Sequence, residues 1–463
     1  MSLAALVLLW VVFVAVAVSL AAQVTLYISA AIELHRVRRR DRHQLWRRML
    51  TSPLAPRISV LVPAYNESAS IVDSVTNLLS LTYPNLEVIA VSDGSTDDTL
   101  ERLTTAFNMA PVLPVFRRLI PTAEIKQLFR SPDDARLVVV DKQNGGKADA
   151  LNAAVNMASG ELVCAIDADT VVAHNALQQL LAPFLASNET VAVGGTVRLV
   201  NTAVWSESEV TGMRAPTRFL VGAQAAEYPR AFLVGRLGWN PLGGNLIISG
   251  AFGVFRKSAL AEVGGYEHQS IGEDMELVVR LRRAASERGR RARVEFSPNP
   301  VAYTEAPASL RTLARQRNRW FRGLLDVLVR HRRMVFNPRY GSAGMIAMPY
   351  FVVVEALSPI VEAFGLMFVL VALAIGSIPP SALVPIAVLY LISICASYAV
   401  VITDDLVFET YHRTRDRVRL ASYVLFEQIV FRPLTLVWRL WGLWLFLQGR
   451  TEWGKHDRRG LTT

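Results

Sequence analysis

Glu161-Leu162-Val163-Cys164-Ala165-Ile166-Asp167-Ala168-Asp169-Thr170 places two carboxylates one residue apart at the end of an apolar run. The run predicts a buried strand over Leu162–Ile166. Such a strand would carry both acids to its C-terminal edge, where ligands of open α/β sheets collect. Side chains at i and i+2 of a strand share a face. Two such carboxylates can hold a hard divalent cation, and the cation can clamp a diphosphate. Asp-x-Asp is also a common turn sequence, so the rest of the chain has to decide its meaning.

Upstream, the same arrangement repeats. Arg57–Val62 reads as a strand stopped by Pro63, Leu86–Val91 as a second, and Leu137–Val140 as a third. Ile71–Leu81 has helical spacing, and Lys147–Ala158 is an alanine-rich helix. Strands alternating with helices predict a mostly parallel sheet with covered faces. A polar cluster follows each strand: Pro63-Ala64-Tyr65-Asn66-Glu67, then Asp93-Gly94-Ser95-Thr96-Asp97-Asp98, then Lys142-Gln143-Asn144-Gly145-Gly146-Lys147, then Asp167-Ala168-Asp169. Each alone suits a turn or a helix cap. At corresponding ends of one sheet they would share one crevice. Neither a Gly-x-Gly-x-x-Gly nor a Walker-type loop is present, which disfavours dinucleotide and P-loop chemistry.

Downstream, Leu246–Arg256 reads as a short strand around Ser249-Gly250-Ala251-Phe252-Gly253, whose glycines would admit close approach of a ligand. Gly264-Gly265-Tyr266 follows, and Ile271-Gly272-Glu273-Asp274 opens a helix over Met275–Arg283. Acids in a first turn suit the helix dipole. Arg315-Gln316-Arg317-Asn318-Arg319-Trp320 comes last, with a juxtamembrane anchor as its plain alternative reading.

The chain has 463 residues, 52% of them hydrophobic, with a mean hydropathy of +0.30. The excess is concentrated. Leu3–Ile32 is nearly continuous apolar sequence followed by His35-Arg36-Val37-Arg38-Arg39-Arg40. Its length suits a bilayer, and the basic cluster puts the next domain in the cytoplasm. A signal peptide would carry its charge first. Further apolar segments lie at Ile346–Ile375, Leu383–Ile402 and Leu420–Leu447, interrupted by Glu355, Pro359, Glu362, Glu427, Arg432 and Pro433. The expected plan is a membrane helix over 1–34, a cytoplasmic domain over 35–340, membrane or interfacial helices over 341–449 and a basic tail over 450–463. Three carboxy-terminal crossings would put that tail outside, against the charge rule, so one segment is expected not to cross fully. A net charge of +10 suits contact with anionic lipid and anionic substrate rather than nucleic acid, because much of it flanks apolar segments. Cys164 and Cys395 form no metal pattern and are not expected to pair.

The ordered set Val62-Pro63-Ala64-Tyr65-Asn66-Glu67, Asp93-Gly94-Ser95, Asn144-Gly145-Gly146-Lys147-Ala148, Asp167-Ala168-Asp169, Gly272-Glu273-Asp274 and Gln316-Arg317-Asn318-Arg319-Trp320 resembles the processive, membrane-embedded branch of the family 2 inverting glycosyltransferases. That branch includes poly-N-acetylglucosamine, hyaluronan, chitin and cellulose synthases. The resemblance implies an α/β GT-A domain beside a helical membrane bundle. It implies a nucleotide-sugar donor, probably UDP-linked as in UDP-GlcNAc or UDP-Glc, and a Mg2+ or Mn2+ cofactor, which oxygen ligands favour over zinc. By matching position, Asp274 would be the catalytic base and Asp169 the metal ligand. Pro63, Ala64, Tyr65, Glu67, Asp93, Lys147 and Asp167 would line the donor nucleotide. Gln316, Arg319 and Trp320 would hold the diphosphate and the acceptor end, with Ser249, Gly250, Ala251 and Glu273 along the acceptor.

The expected partners are a nucleotide sugar, a polysaccharide or lipid acceptor, membrane lipid and accessory export subunits, with no nucleic acid. The expected location is the plasma (inner) membrane, crossed several times. The gating-loop signature Phe-x-Val-Thr and the cyclic-dinucleotide receptor domain of cellulose synthases are not found, which speaks against that regulation and that product. Three functions follow: extension of a polysaccharide with coupled export, transfer of one sugar to a membrane lipid, or a non-catalytic membrane subunit that binds a glycan or partner, against which Asp169 and Asp274 argue.

Overall fold

The computed structural model describes residues 3–42, 50, 52–206 and 209–450. The basic run Lys455-His456-Asp457-Arg458-Arg459 therefore lies outside the described residues.

Helix α1 (Leu3–Arg42) leads into an α/β domain. Its strands are β1 (Ile58–Ala64), β2 (Leu86–Asp93), β3 (Ala110–Val112), β4 (Ile125–Arg130), β5 (Leu137–Lys142), β6 (Leu162–Ile166), β7 (Val171–Val172), β8 (Thr190–Leu199), β9 (Ala203–Ser206), β10 (Glu209–Met213), β11 (Phe252–Arg256) and β12 (Arg293–Thr304). Among the described residues they form a ten-stranded sheet in the order β3-β4-β5-β2-β1-β6-β11-β8-β12-β7 and a separate β9–β10 hairpin. The helices of the domain are α2 (Ile71–Leu79), α3 (Thr99–Ala106), α4 (Lys147–Met157), α5 (Ala176–Ala186), α6 (Phe219–Pro229), α7 (Lys257–Glu262), α8 (Glu273–Glu287) and α9 (Leu310–Arg330).

The sheet is mixed. Strands β5-β2-β1-β6 run parallel, as expected. Beyond them β11 is antiparallel to both β6 and β8, while β8 and β12 pair in parallel. Burial explains the parallel part: every residue of β2 and β6 is buried, the mark of strands covered on both faces. Alanines 150, 153 and 154 of α4 have no exposure, and their small side chains let that helix lie close on the sheet.

Several boundaries differ from the expectation for physical reasons. Pro63 lies inside β1 rather than ending it. Strand β1 pairs with β2 as far as Ala64 but with β6 only to Leu61, so the missing Pro63 N–H disrupts no ladder on the β6 side. Strand β11 begins at Phe252, and Leu246–Ala251 stays outside the sheet, because its backbone is spent in local turns and side-chain contacts. Helix α8 starts at Glu273, so both acids lie within it.

Among the described residues four helices are long and apolar enough to cross a membrane: Leu6–Arg40 within α1, then α10 (Ala343–Ala374), α11 (Ser381–Phe408) and α12 (Thr414–Leu447). Val7, Trp10, Val11, Val14 and Val18 of α1 are exposed apolar side chains, as a lipid-facing surface requires. Three of the charges that interrupt these segments, Glu355, Glu427 and Arg432, have side-chain partners. Glu427 accepts from the Arg230 guanidinium at 2.6 Å, Arg432 donates to Gln428 Oε1 at 3.0 Å, and Arg439 lies 3.4 Å from Glu355. Charged side chains within a bilayer are tolerated in this inward, paired arrangement. Cys164 and Cys395 are both free thiols.

Candidate active site

The parallel strands deliver their polar clusters to one edge, and hydrogen bonds lace the first two together. Asn66, at φ 56°, donates from its N–H to Ser95 Oγ at 3.2 Å and accepts the Thr96 N–H at 2.8 Å. The Glu67 N–H donates to Thr99 Oγ1 at 2.9 Å. This turn holds Tyr65 out of the sheet edge, 51% exposed. Pro63 and Ala64 form the strand end beneath it.

Asp93 is placed differently from its expected role. It is buried, and Oδ1 accepts Lys142 Nζ at 2.5 Å and the Gly145 N–H at 3.0 Å, while Oδ2 accepts the Gly146 N–H at 2.8 Å. Its carboxylate shapes the Gln143–Gly146 loop instead of projecting into the cleft. Lys142, the last residue of β5, is fully buried and also contacts Asp149 at 2.6 Å. Gly94 closes this corner: at φ +64° a Cβ would meet the Asn144 backbone nitrogen at 2.7 Å.

Lys147, the first residue of α4, reaches across to the fourth cluster. Its Nζ lies 2.6 Å from Asp167 Oδ1, 3.4 Å from the Gly250 carbonyl and 3.8 Å from Glu273. Burial opposes its charge, but Asp167, Glu273 and Asp274 outweigh that and hold the ammonium above its usual range. Lys147 thus stands with the residues expected along the acceptor. The Asp167 N–H contacts the Ala251 carbonyl at 3.4 Å, which joins Asp167-Ala168-Asp169 to the Ser249–Ala251 segment.

Asp274 completes the group. Its Oδ2 accepts the Gly250 N–H at 3.1 Å and its Oδ1 the Met275 N–H at 2.8 Å. A small pocket is lined by Lys147, Ser249, Gly250, Tyr266, Glu273 and Asp274 together with Leu151, Ala165, Ile248 and Phe255. Tyr266 was not assigned from sequence. Its hydroxyl is buried without a hydrogen-bond partner, and Asn152 clamps its backbone at 2.7 and 2.9 Å. The Gly264-Gly265 pair was the available signal, since Gly265 at φ +76° makes the turn that delivers the ring.

Helix α9 brings the last motif to the same place. Gln316, Arg319, Trp320 and Gly323 share a helix face by their spacing. A Cβ on Gly323 would meet the Gly272 Cα at 3.1 Å, so the two backbones touch where α8 begins. That contact brings Arg319 close enough to Glu273 to influence its ionisation. The Gln316 side-chain oxygen is buried without a partner.

Burial is the main influence on Glu273 and pushes its carboxyl above the ordinary range; Lys147 opposes this, Asp274 adds to it and Arg319 opposes it. A carboxyl raised in the folded state favours folding in its protonated form, below the unfolded value of 4.5, and that benefit is lost as pH rises through the folded value. The unfolding temperature of the Glu273→Gln protein should therefore gain on the wild type as pH is raised from about 4.5 toward 7. Parallel melting curves across that window would contradict the assignment.

Asp167, Asp169, Glu273 and Asp274 against Lys147 and Arg319 leave the crevice with excess negative charge and hard oxygen donors, a composition that fits a divalent cation. Among the described residues no three His, Cys, Asp or Glu side chains form a closed metal cage.

The chain is similar to several known proteins. The chain is 30% identical over 273 residues to the poly-beta-1,6-N-acetyl-D-glucosamine synthase of Staphylococcus epidermidis, covering 59% of this chain and 56% of that protein. It is 30% identical over 276 residues to the synthase of the same description from Staphylococcus aureus strain COL, with coverage of 59% and 56%. The match thus spans about half the length of these curated relatives. Among solved structures, the mannosyltransferase PcManGT from Pyrobaculum calidifontis, in complex with GDP-Man and Mn2+, superposes with a TM-score of 0.52 at 20% identity, covering 92% of this chain and 99% of that one. That likeness establishes the GT-A fold. The family profile described as "Glycosyltransferase like family 2" matches residues 56–323, from just before β1 to the glycine that meets Gly272. Matched over more than half its length, from the first strand of the crevice to the last motif on α9, the chain belongs to glycosyltransferase family 2.

Proposed function

We propose that this protein transfers a sugar, with inversion, from a UDP-linked donor to a growing polysaccharide at the cytoplasmic face of the plasma membrane, and that the polymer leaves through the α10–α12 bundle. UDP-GlcNAc is the preferred donor, by likeness to the poly-N-acetylglucosamine synthases. One observation supports the reading most: Asp274 accepts the Gly250 N–H beside the Lys147–Asp167 pair, on the edge that also carries Tyr65 and Asp169.

In this reading the acceptor hydroxyl lies along Ser249–Ala251 and gives its proton to Asp274 as its oxygen attacks the anomeric carbon. The bond from that carbon to the nucleoside diphosphate breaks on the opposite face, so the configuration inverts. Gly250 and Met275 hold the Asp274 carboxylate through their N–H groups while it waits for the proton. Arg319 and Gln316 face the departing diphosphate, and the Tyr65–Glu67 turn borders the nucleoside. A Mg2+ or Mn2+ ion on Asp169 would supply electrostatic stabilisation of the charge developing on the diphosphate.

The test is nucleoside diphosphate release from a panel of nucleotide sugars by the purified protein in lipid nanodiscs, with Mg2+, Mn2+ or EDTA, followed by sizing of the product. UDP-GlcNAc should be consumed, EDTA should lower the rate by at least ~100-fold, and Asp169→Asn should match the EDTA value without added loss on chelation. A ladder of products supports the polymer. A single lipid-linked sugar would replace it with the lipid-transfer reading, and no release from any donor would end both.

A further inference from the structure

We propose that Glu227 is a positioning residue: acting through Arg317, it fixes the Trp320 indole as the platform for the terminal acceptor sugar. The inference rests on the transfer reading above and adds two residues to it.

Glu227 lies in the last turn of α6, two residues before Pro229. Arg317 Nη1 donates to its Oε1 at 3.1 Å and Nη2 to its Oε2 at 2.6 Å. This is the two-pronged arrangement that fixes a guanidinium plane. Both side chains are largely withdrawn from water, 11% exposed for Arg317 and 17% for Glu227. Arg317 stands three residues before Trp320 on α9, so the two are neighbours on one helical face. Its guanidinium carbon lies 4.5 Å from the Trp320 ring centroid and 5.9 Å from that of Phe431 on α12. Phe431 is fully buried, so the guanidinium has no room to retreat.

An indole has two faces. The cation covers one, yet Trp320 remains 46% exposed. Trp320 stands one turn before Gly323 on α9, and Gly323 meets Gly272 at the start of α8, the helix that carries Asp274. Without the guanidinium the indole would recover rotamer freedom, and the acceptor would have to restore order on binding. The nucleoside end of the donor is expected on the Tyr65–Glu67 turn after β1, apart from the Glu227–Arg317 pair, whose guanidinium contacts Trp320 and Phe431.

The test uses the full-length protein in nanodiscs, with UDP-GlcNAc and N-acetylglucosamine oligosaccharides, and measures KM for each substrate, kcat and melting temperature. Glu227→Gln and Arg317→Lys should each raise the acceptor KM about tenfold and leave the donor KM within about twofold. On a Trp320→Ala background, Glu227→Gln should add nothing, because the surface it orients is gone. The exchange Glu227→Arg with Arg317→Glu should restore melting temperature but not acceptor KM, since a carboxylate cannot stack on the indole. Glu227→Asp keeps the charge and should recover most of the acceptor affinity, which serves if Glu227→Gln fails to fold. Overturning results are a change in donor KM or kcat alone, full additivity with Trp320→Ala, or rescue of acceptor KM by the exchange. Transfer by the wild type with an unaffected Glu227→Gln rejects this inference alone; a wild type that transfers nothing rejects the transfer reading and this inference with it.

Discussion

Asp274→Asn should lower kcat by about 10³-fold or more while leaving donor Kd within about threefold. The asymmetry follows from the contacts. Asn keeps one acceptor oxygen, so it retains either the Gly250 N–H, which reaches Asp274 Oδ2 at 3.1 Å, or the Met275 N–H on Oδ1 at 2.8 Å, and the start of α8 loses only the other contact. What the side chain loses is the capacity to take a proton at the moment the acceptor oxygen attacks. The Lys147–Asp167 pair that borders the donor stays in place, and the nucleoside is expected on the Tyr65–Glu67 turn, which neither Asp274 contact reaches, so donor affinity is expected to move little. Glu273 precedes Asp274, and Lys147 lies 3.8 Å from it. Substituting Glu273 should change stability with pH more than turnover, which separates the two neighbouring acids. Equilibrium binding of UDP and steady-state release of UDP from UDP-GlcNAc give the two readouts. Turnover by Asp274→Asn within about tenfold of the wild type would remove Asp274 from the role of base.

The parallel half of the sheet was legible because its physics is local. Apolar runs such as Leu162–Ile166 are buried on both faces and end in residues that turn, and strand β6 has the expected bounds. The antiparallel insertion of β11 between β6 and β8 was not legible, since pairing direction depends on contacts about ninety residues apart in sequence, as in Phe252↔Ile166. The site shows the same division. Asp167, Lys147, Gly250, Glu273 and Asp274 converge as the motifs implied. Residues whose work is to hold others were harder to read. Lys142 ends an apolar strand and looks like a surface cation, yet its partners Asp93 and Asp149 stand on β2 and α4. Glu227 lies in an alanine-rich helix about ninety residues from Arg317, and nothing local marks it. Gly323 would pass for an ordinary helical glycine; its meaning is the backbone of Gly272 pressed against it.

Lys142→Met should lower stability by about 3–5 kcal/mol, the largest structural effect expected of a single change near the site. Lys142 has no exposure, and its ammonium lies 2.5 Å from Asp93 and 2.6 Å from Asp149. Removing it leaves two buried carboxylates without the ammonium between them, with His268 Nε2 at 3.9 Å from Asp149 as a weaker neighbour. Each keeps backbone donors, Gly145 and Gly146 for Asp93 and Ala123 for Asp149, which places the loss toward the lower end of that range. Adding Asp93→Asn and Asp149→Asn to Lys142→Met should recover much of the stability, because three neutral side chains no longer bury uncompensated charge. Function should follow the loop. Asp93 holds Gly145 and Gly146, and Lys147 starts the helix that follows, so loosening this corner displaces the ammonium that bridges Asp167 and Glu273. Denaturant unfolding and UDP binding, measured on the same samples, check both consequences. Asp93→Asn alone then discriminates between two roles for that carboxylate. If Asp93 orients the loop, weakened donor binding and lost stability appear together. Weakened binding with stability intact would instead mean that Asp93 turns outward to touch the nucleoside when the donor arrives.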